Sequence, residues 1–200
     1  MNEIDSVCVY CGSADGNDPR FAAAADELGR TLAEAGVDLV YGGGSLGLMG
    51  RVARAAMGAG GKVLGIIPQF LHDREVMLRE VTELVVTDDM HARKRLMFDR
   101  SDGFVALPGG IGTLEELVEM MTWSQLGQHE KPIVVANIEG FWDPLAELIG
   151  HMKAAGFIRP EWDVAYDVVD SVPAILPRLI ERHAALKAVR DPDETALRRL

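Results

Sequence analysis

Short, unbroken apolar runs alternate with stretches of helical spacing along this chain, and that alternation constrains the fold more than any other feature. The runs Ile4–Tyr10, Val37–Tyr41, Lys62–Ile67, Glu83–Thr87, Phe104–Leu107 and Lys131–Asn137 read as strands, with Asp163–Val168 as a short seventh. Helices are expected between them. Pro19–Ala35 has Asp18 as N-cap, Pro19 at N1 and Gly36 as its stop. After the turn Gly42–Gly47 a second helix runs to about Ala59, and residues 69–80 read as a loop with a helical turn. Met90–Ser101 is capped by Asp88, Thr113–Leu126 follows a glycine turn, and Phe141–Ala155 ends at Gly156. Ser171 opens a last helix to Lys187. Strands that are apolar throughout, rather than at alternate positions, are buried on both faces, as in a parallel sheet covered by helices. The expectation is an α/β fold, a doubly wound parallel sheet in three layers.

In such sheets ligands bind at the C-terminal ends of the strands. Three predicted strand ends carry turns of small residues: Cys11-Gly12-Ser13, Gly42-Gly43-Gly44 and Gly109-Gly110-Ile111-Gly112. The last of these, in GFVALPGGIGTLEE at 103–116, joins a strand directly to a helix. A helix N-terminus has unpaired backbone N–H groups and partial positive charge, so this turn is a ready phosphate site. It lacks the G-K-[ST] ending of a P-loop, which favours a single phosphate over a polyphosphate. Thr113 adds a hydroxyl donor. GGGSLG at 42–47 has the spacing of a dinucleotide fingerprint, but it follows the second strand, and no acidic residue ends the next one. Close backbone packing around a mononucleotide fits it better than NAD does.

Two features carry more than one reading. Thr113-x-x-Glu116 has the form of a capping box, yet a carboxylate one turn from a phosphate also lies near a bound ribose. His91-Ala92-Arg93-Lys94-Arg95 is the dense basic cluster of an acidic chain: a solvated face, or cations that meet an anionic ligand.

Composition narrows the partners. A net charge of −11 argues against nucleic acid or an anionic membrane, while a few arginines and backbone dipoles still suffice for a small anion. At 200 residues and 48% apolar content the chain can build one core, so a single domain over 1–187 is expected, followed by a charged, mobile tail at 188–200. There is no signal-like N-terminus and no run near the ~18 apolar residues of a membrane span, so a cytoplasmic protein is expected. Cys8 and Cys11 have the spacing of a redox pair or half a zinc site. A thioredoxin-type pair opens a helix, however, and the five histidines here are scattered singly. Cys8 is expected in the core and Cys11 beside the site, with no metal and no cofactor.

MHARK at 90–94 and PGGIGTLEE at 108–116 resemble the paired signatures of the LONELY GUY (LOG) family. The early CGS, YGGGSLGLMG at 41–50 and TWSQLGQHEKPI at 122–133 match as well. The resemblance implies a Rossmann-like fold, a homodimer with sites near the subunit interface, and a cytokinin riboside 5′-monophosphate phosphoribohydrolase. Such an enzyme cleaves the N-glycosidic bond of N6-modified AMP, and of AMP, giving free base and ribose 5-phosphate. By motif, Arg93 and Glu116 would be catalytic. Gly110, Ile111, Gly112, Thr113, Leu114 and Glu115 would hold the substrate, with Ser13, Gly43, Gly44, Ser45, Glu75, Lys94 and Thr122 as further contacts. The alternative is a non-catalytic nucleotide or molybdenum-cofactor carrier of the same fold. A lysine decarboxylase, a label also attached to the family, would need a Schiff-base lysine in a pyridoxal phosphate site. None of Lys62, Lys94, Lys131, Lys153 and Lys187 has such a context.

Overall fold

The computed structural model describes residues 4–72, 77–159 and 163–190. Glu75, and residues 191–200 of the expected tail, lie outside the described residues. The strands are β1 (Ser6–Tyr10), β2 (Asp38–Tyr41), β3 (Val63–Pro68), β4 (Glu83–Thr87), β5 (Gly103–Ala106), β6 (Ile133–Ala136) and β7 (Asp167–Val169). They form one seven-stranded sheet in the order β4-β3-β2-β1-β5-β6-β7. Every pairing is parallel. The helices are α1 (Pro19–Glu34), α2 (Gly47–Gly58), α3 (Gln69–His72), α4 (Met90–Asp99), α5 (Ile111–Gln125), α6 (Asp143–Ala154) and α7 (Ile175–Arg190).

Strand residues alternate between two cores because successive side chains leave opposite faces of a sheet. Val7, Val9, Leu39, Tyr41, Val105 and Leu107 pack with Leu28 and Leu32 of α1, Val52 of α2 and Leu179 of α7. Cys8, Tyr10, Val40, Ile66, Phe104 and Ala106 pack with Met97 of α4, Leu117, Met120 and Met121 of α5, and Ile149 of α6. The result is the three-layer, Rossmann-like arrangement. The same alternation settles the cysteines. Three positions apart on an extended segment, Cys8 and Cys11 fall into different cores, both buried and both free thiols. Burial pushes both thiols far above their ordinary pKa, first through desolvation and then through the Glu116 carboxylate.

Several expected boundaries move. Asp89, not Asp88, caps α4: its carboxylate accepts from the Ala92 N–H at 2.8 Å. A 3-10 turn at Val172–Ala174 precedes α7, and Ser171 caps that turn's start without a side-chain bond. Helix α7 runs through Arg190, three residues beyond the expected end at Lys187. The most consequential change is at α5, which begins at Ile111 with Gly110 as its N-cap. The Leu114 N–H closes the first turn on the Gly110 carbonyl at 3.1 Å. Thr113 is therefore the third helical residue, and Thr113-x-x-Glu116 is not a capping box.

Winding reverses between β1 and β5: β1 to β4 step outward on one side and β5 to β7 on the other. The crevice above such a reversal is where open α/β sheets place ligands.

Candidate active site

Three turns meet at that crevice. The Gly12 N–H donates to the Pro108 carbonyl at 3.1 Å, and the Met49 N–H donates to the Gly12 carbonyl at 3.2 Å. The turn after β1 is thus tied to the turn after β5 on one side and to the first turn of α2 on the other. Gly109 has no room for a side chain: a Cβ there would run into the Thr113 side chain and lie 2.8 Å from the Gly12 nitrogen. The N-terminus of α5 has no side-chain cap bond. Its first N–H groups are those that a helix leaves without an intrahelical partner.

Helix α4 supplies the cations. Its face splits the basic cluster: His91 and Arg95 are exposed, whereas Arg93 and Lys94 are buried. The Arg93 guanidinium donates from Nε to the Ile66 carbonyl of β3 at 3.0 Å and from Nη1 to Glu116 Oε1 of α5 at 2.6 Å. Both side chains are almost wholly buried, 8% and 11% exposed. Gly42 makes room for this arrangement, because a Cβ there would fall against Arg93 Nη2. Burial raises the Glu116 carboxyl pKa, and the Arg93 charge and hydrogen bond oppose that rise. The pair is a carboxylate with an elevated proton affinity, held by a permanently charged guanidinium.

Lys94 is also committed. Its Nζ donates to Glu115 Oε1 at 2.7 Å and to Glu119 Oε1 at 3.0 Å. Burial opposes the Lys94 charge, but the two carboxylates outweigh it and the ammonium pKa is raised.

The structure brings together Arg93, Glu116 and the Gly110–Thr113 turn, with the turn at Gly43–Ser45 beside them. Gly43, Gly44 and Ser45 are buried. The Gly43 carbonyl accepts from the Leu78 N–H at 3.3 Å, and Gly44 bridges Met77. Ser13 is exposed on the β1 turn, Ile111 is 82% exposed, and Leu114 is half-buried. Thr122 lies apart, exposed on α5 with its hydroxyl donating to the Val118 carbonyl at 2.7 Å. At the helical rise it is roughly 15 Å along the axis from Gly112. Two participants escaped the sequence reading. The Ile66 carbonyl has no side-chain signal at all. Glu119 has a weak one, its position one turn beyond Glu115 on the same face.

A family profile described as possible lysine decarboxylase matches residues 49–179. The chain is 46% identical over 176 residues to a cytokinin riboside 5′-monophosphate phosphoribohydrolase of Arabidopsis thaliana, covering 86% of this chain and 81% of that one. It is 49% identical over 155 residues to a probable cytokinin riboside 5′-monophosphate phosphoribohydrolase of Oryza sativa subsp. japonica, covering 78% and 70%. Among solved structures, a molybdenum cofactor carrier protein of Chlamydomonas reinhardtii superposes with a TM-score of 0.69 over 90% of this chain and 98% of that one. At 22% identity that likeness is one of fold. The profile and the two plant relatives agree on one lineage over most of the chain: it belongs to the LONELY GUY (LOG) family of cytokinin riboside 5′-monophosphate phosphoribohydrolases.

Proposed function

We propose that this chain is a phosphoribohydrolase. It hydrolyses the N-glycosidic bond of adenosine 5′-monophosphates, N6-modified or plain, to free base and ribose 5-phosphate. The observation that carries the reading is the buried Arg93–Glu116 pair beside an uncapped helix N-terminus that suits one phosphate. The names of the plant relatives support the same substrate class.

Cleavage of a ribosyl–purine bond passes through an oxocarbenium-like state. Phosphate held at Gly110–Thr113 supplies remote binding energy that fixes the ribose. The Glu116 carboxylate then stabilises developing positive charge on the sugar and takes a proton from the attacking water. Arg93 holds Glu116 in place; as a guanidinium it does not serve as the proton donor to the base. Gly43–Ser45 and Ser13 line the same crevice.

A decarboxylase reading finds less support. The lysine of α4 is Lys94, whose ammonium sits between two carboxylates with a raised pKa, the reverse of what an amine nucleophile needs. A homodimer in the cytoplasm belongs to the proposal. The resemblance supports the dimer, as does the apolar edge of α5, where Ile111, Val118 and Leu126 are exposed. Thr122 is on that same edge and enters the proposal as a residue of the dimer face. Among the described residues, no helix is long and apolar enough to cross a membrane.

The test is a chromatographic product assay with AMP and isopentenyl-AMP. Release of adenine or isopentenyladenine with ribose 5-phosphate is expected. Tight nucleotide binding with no released base would overturn the reading in favour of a carrier.

A further inference from the structure

We propose that a cavity at the edge of the sheet opposite the crevice binds a small organic oxyanion, whose charged group meets the Lys131 ammonium. The inference stands apart from the phosphoribohydrolase reading and uses none of its residues.

The cavity has a volume of about 540 Å³. Its walls are Phe98 near the end of α4, residues 127–131 leading into β6, and His183, Leu186 and Lys187 of α7. Lys131 lies two residues before β6 begins, at the N-terminal edge of the sheet. The crevice is at the C-terminal edge, so the two sites are separate.

Lys131 is the reason for assigning an anion. Arg93 and Lys94, the buried cations of α4, each meet carboxylates at 3.0 Å or less. Lys131 is half-buried, yet among the described residues no carboxylate oxygen lies within 4.0 Å of its Nζ. The Nζ instead donates to the Phe98 carbonyl at 2.6 Å and sits 3.9 Å from the centre of the Phe98 ring. That carbonyl takes one of three N–H donors. A helix end supplies only about half a unit of negative charge, and a ring face has no net charge. Burial lowers the ammonium pKa more than Asp102 and Asp99, beyond ion-pair distance, raise it. A charge partly withdrawn from water without a counter-ion is costly, and a bound anion relieves that cost.

The rest of the wall agrees with an organic anion. His183 and Lys187 are four residues apart and share a face of α7, which adds an imidazole and a second ammonium. Glu130 is the one carboxylate among the lining residues. His129 is wall only. Its Nε2–H donates to the Met120 carbonyl at 3.0 Å and its Nδ1 accepts from the Lys131 N–H at 3.1 Å, so the ring is neutral and both nitrogens are used. Phe98 and Leu186 offer apolar surface. The volume falls within the range of small-molecule sites, about 300–1,000 Å³. The group at Lys131 is therefore a carboxylate or phosphate carried on an apolar body.

The test is amide chemical-shift mapping on the full chain. Phenyl phosphate and benzoate carry the two head groups on one body, and benzyl alcohol is the neutral control. Saturable shifts are expected at Phe98, residues 128–131 and residues 183–187 for at least one anion, and none there for the alcohol. The tighter anion names the head group. Lys131→Met should weaken that binding by about tenfold or more. Lys187→Glu, an exposed change that leaves the Lys131–Phe98 contact intact, should weaken it by about threefold or more, and this arm stands even where Lys131→Met does not fold. Shifts confined to residues 110–113, no shift with either anion at about 10 mM, or equal binding of the alcohol would overturn the proposal. Affinity unchanged in either variant would overturn it as well.

Discussion

Replacing Glu116 with Gln separates the two jobs that the proposed function gives this side chain. The substitution keeps the shape and an acceptor oxygen for Arg93 but removes the charge. A hydrogen bond to a charged group contributes about 1.5–3 kcal/mol, and a neutral acceptor keeps part of that. The carboxylate's own burial works the other way, since its pKa is raised despite Arg93. The fold therefore gains little from the charge, and we expect a net loss of about 1–2 kcal/mol. For a chain of this size that is a fall in Tm of about 2–8 °C. Activity should respond far more. Loss of a positioned base and of the charge beneath the ribose is expected to lower kcat by about 10²–10⁴. Thermal melting and the product assay with AMP, run on the same preparation, read both numbers. Activity within about threefold of wild type, under ~0.7 kcal/mol in the barrier, would refute the catalytic role. A melting temperature unchanged within a degree would refute the stability half, and would be the result a simple helix cap predicts.

Other expectations follow from the same geometry. Because burial raises the Glu116 pKa and Arg93 only opposes that rise, the acid limb of kcat/KM should lie above the ordinary glutamate value of about 4.3. The linked stability runs the same way. The contribution of the protonated carboxyl is fully present below the unfolded pKa and is lost as pH rises through the higher folded one. A limb at or below pH ~4 would contradict the burial argument. Gly42→Ala puts a methyl against the Arg93 guanidinium, so activity should fall at least tenfold, ~1.4 kcal/mol in the barrier; full activity would show that Arg93 has freedom the packing denies it. A thiol reagent should modify neither Cys8 nor Cys11 in the native protein and both after unfolding, and one equivalent of native reactivity would count against their burial.

The strands, their parallel, doubly covered sheet and the turns between them and the helices were legible because they depend on local signals, whereas the order of the strands was not. Continuous apolar runs mark buried parallel strands, and glycines mark where two backbones approach. The start of α5 was not legible. Gly110-Ile111-Gly112 carries the composition of a loop, and only the bond from Leu114 to Gly110 shows that the helix has already begun. That error of two residues is what made Glu116 look like a cap. The roles of Arg93 and Lys94 were hidden for a different reason. Their partners lie on another helix, 23 positions away for Arg93 and Glu116, and no local pattern distinguishes a buried cation from a solvated neighbour such as Arg95.

Helix α4 is also the one connection that crosses the sheet, carrying the chain from the edge strand β4 back to β5 beside β1. Arg93, near its start, reaches backward to the Ile66 carbonyl in the first group of strands and forward to Glu116 of α5, the helix that follows β5. During folding, neither half alone can satisfy that guanidinium, so partly assembled chains leave a cation without its full set of acceptors. The Arg93–Glu116 pair with its Ile66 contact comes into existence only when the halves dock. Recovered activity in a refolding experiment therefore times the closing of the sheet, not the formation of either half.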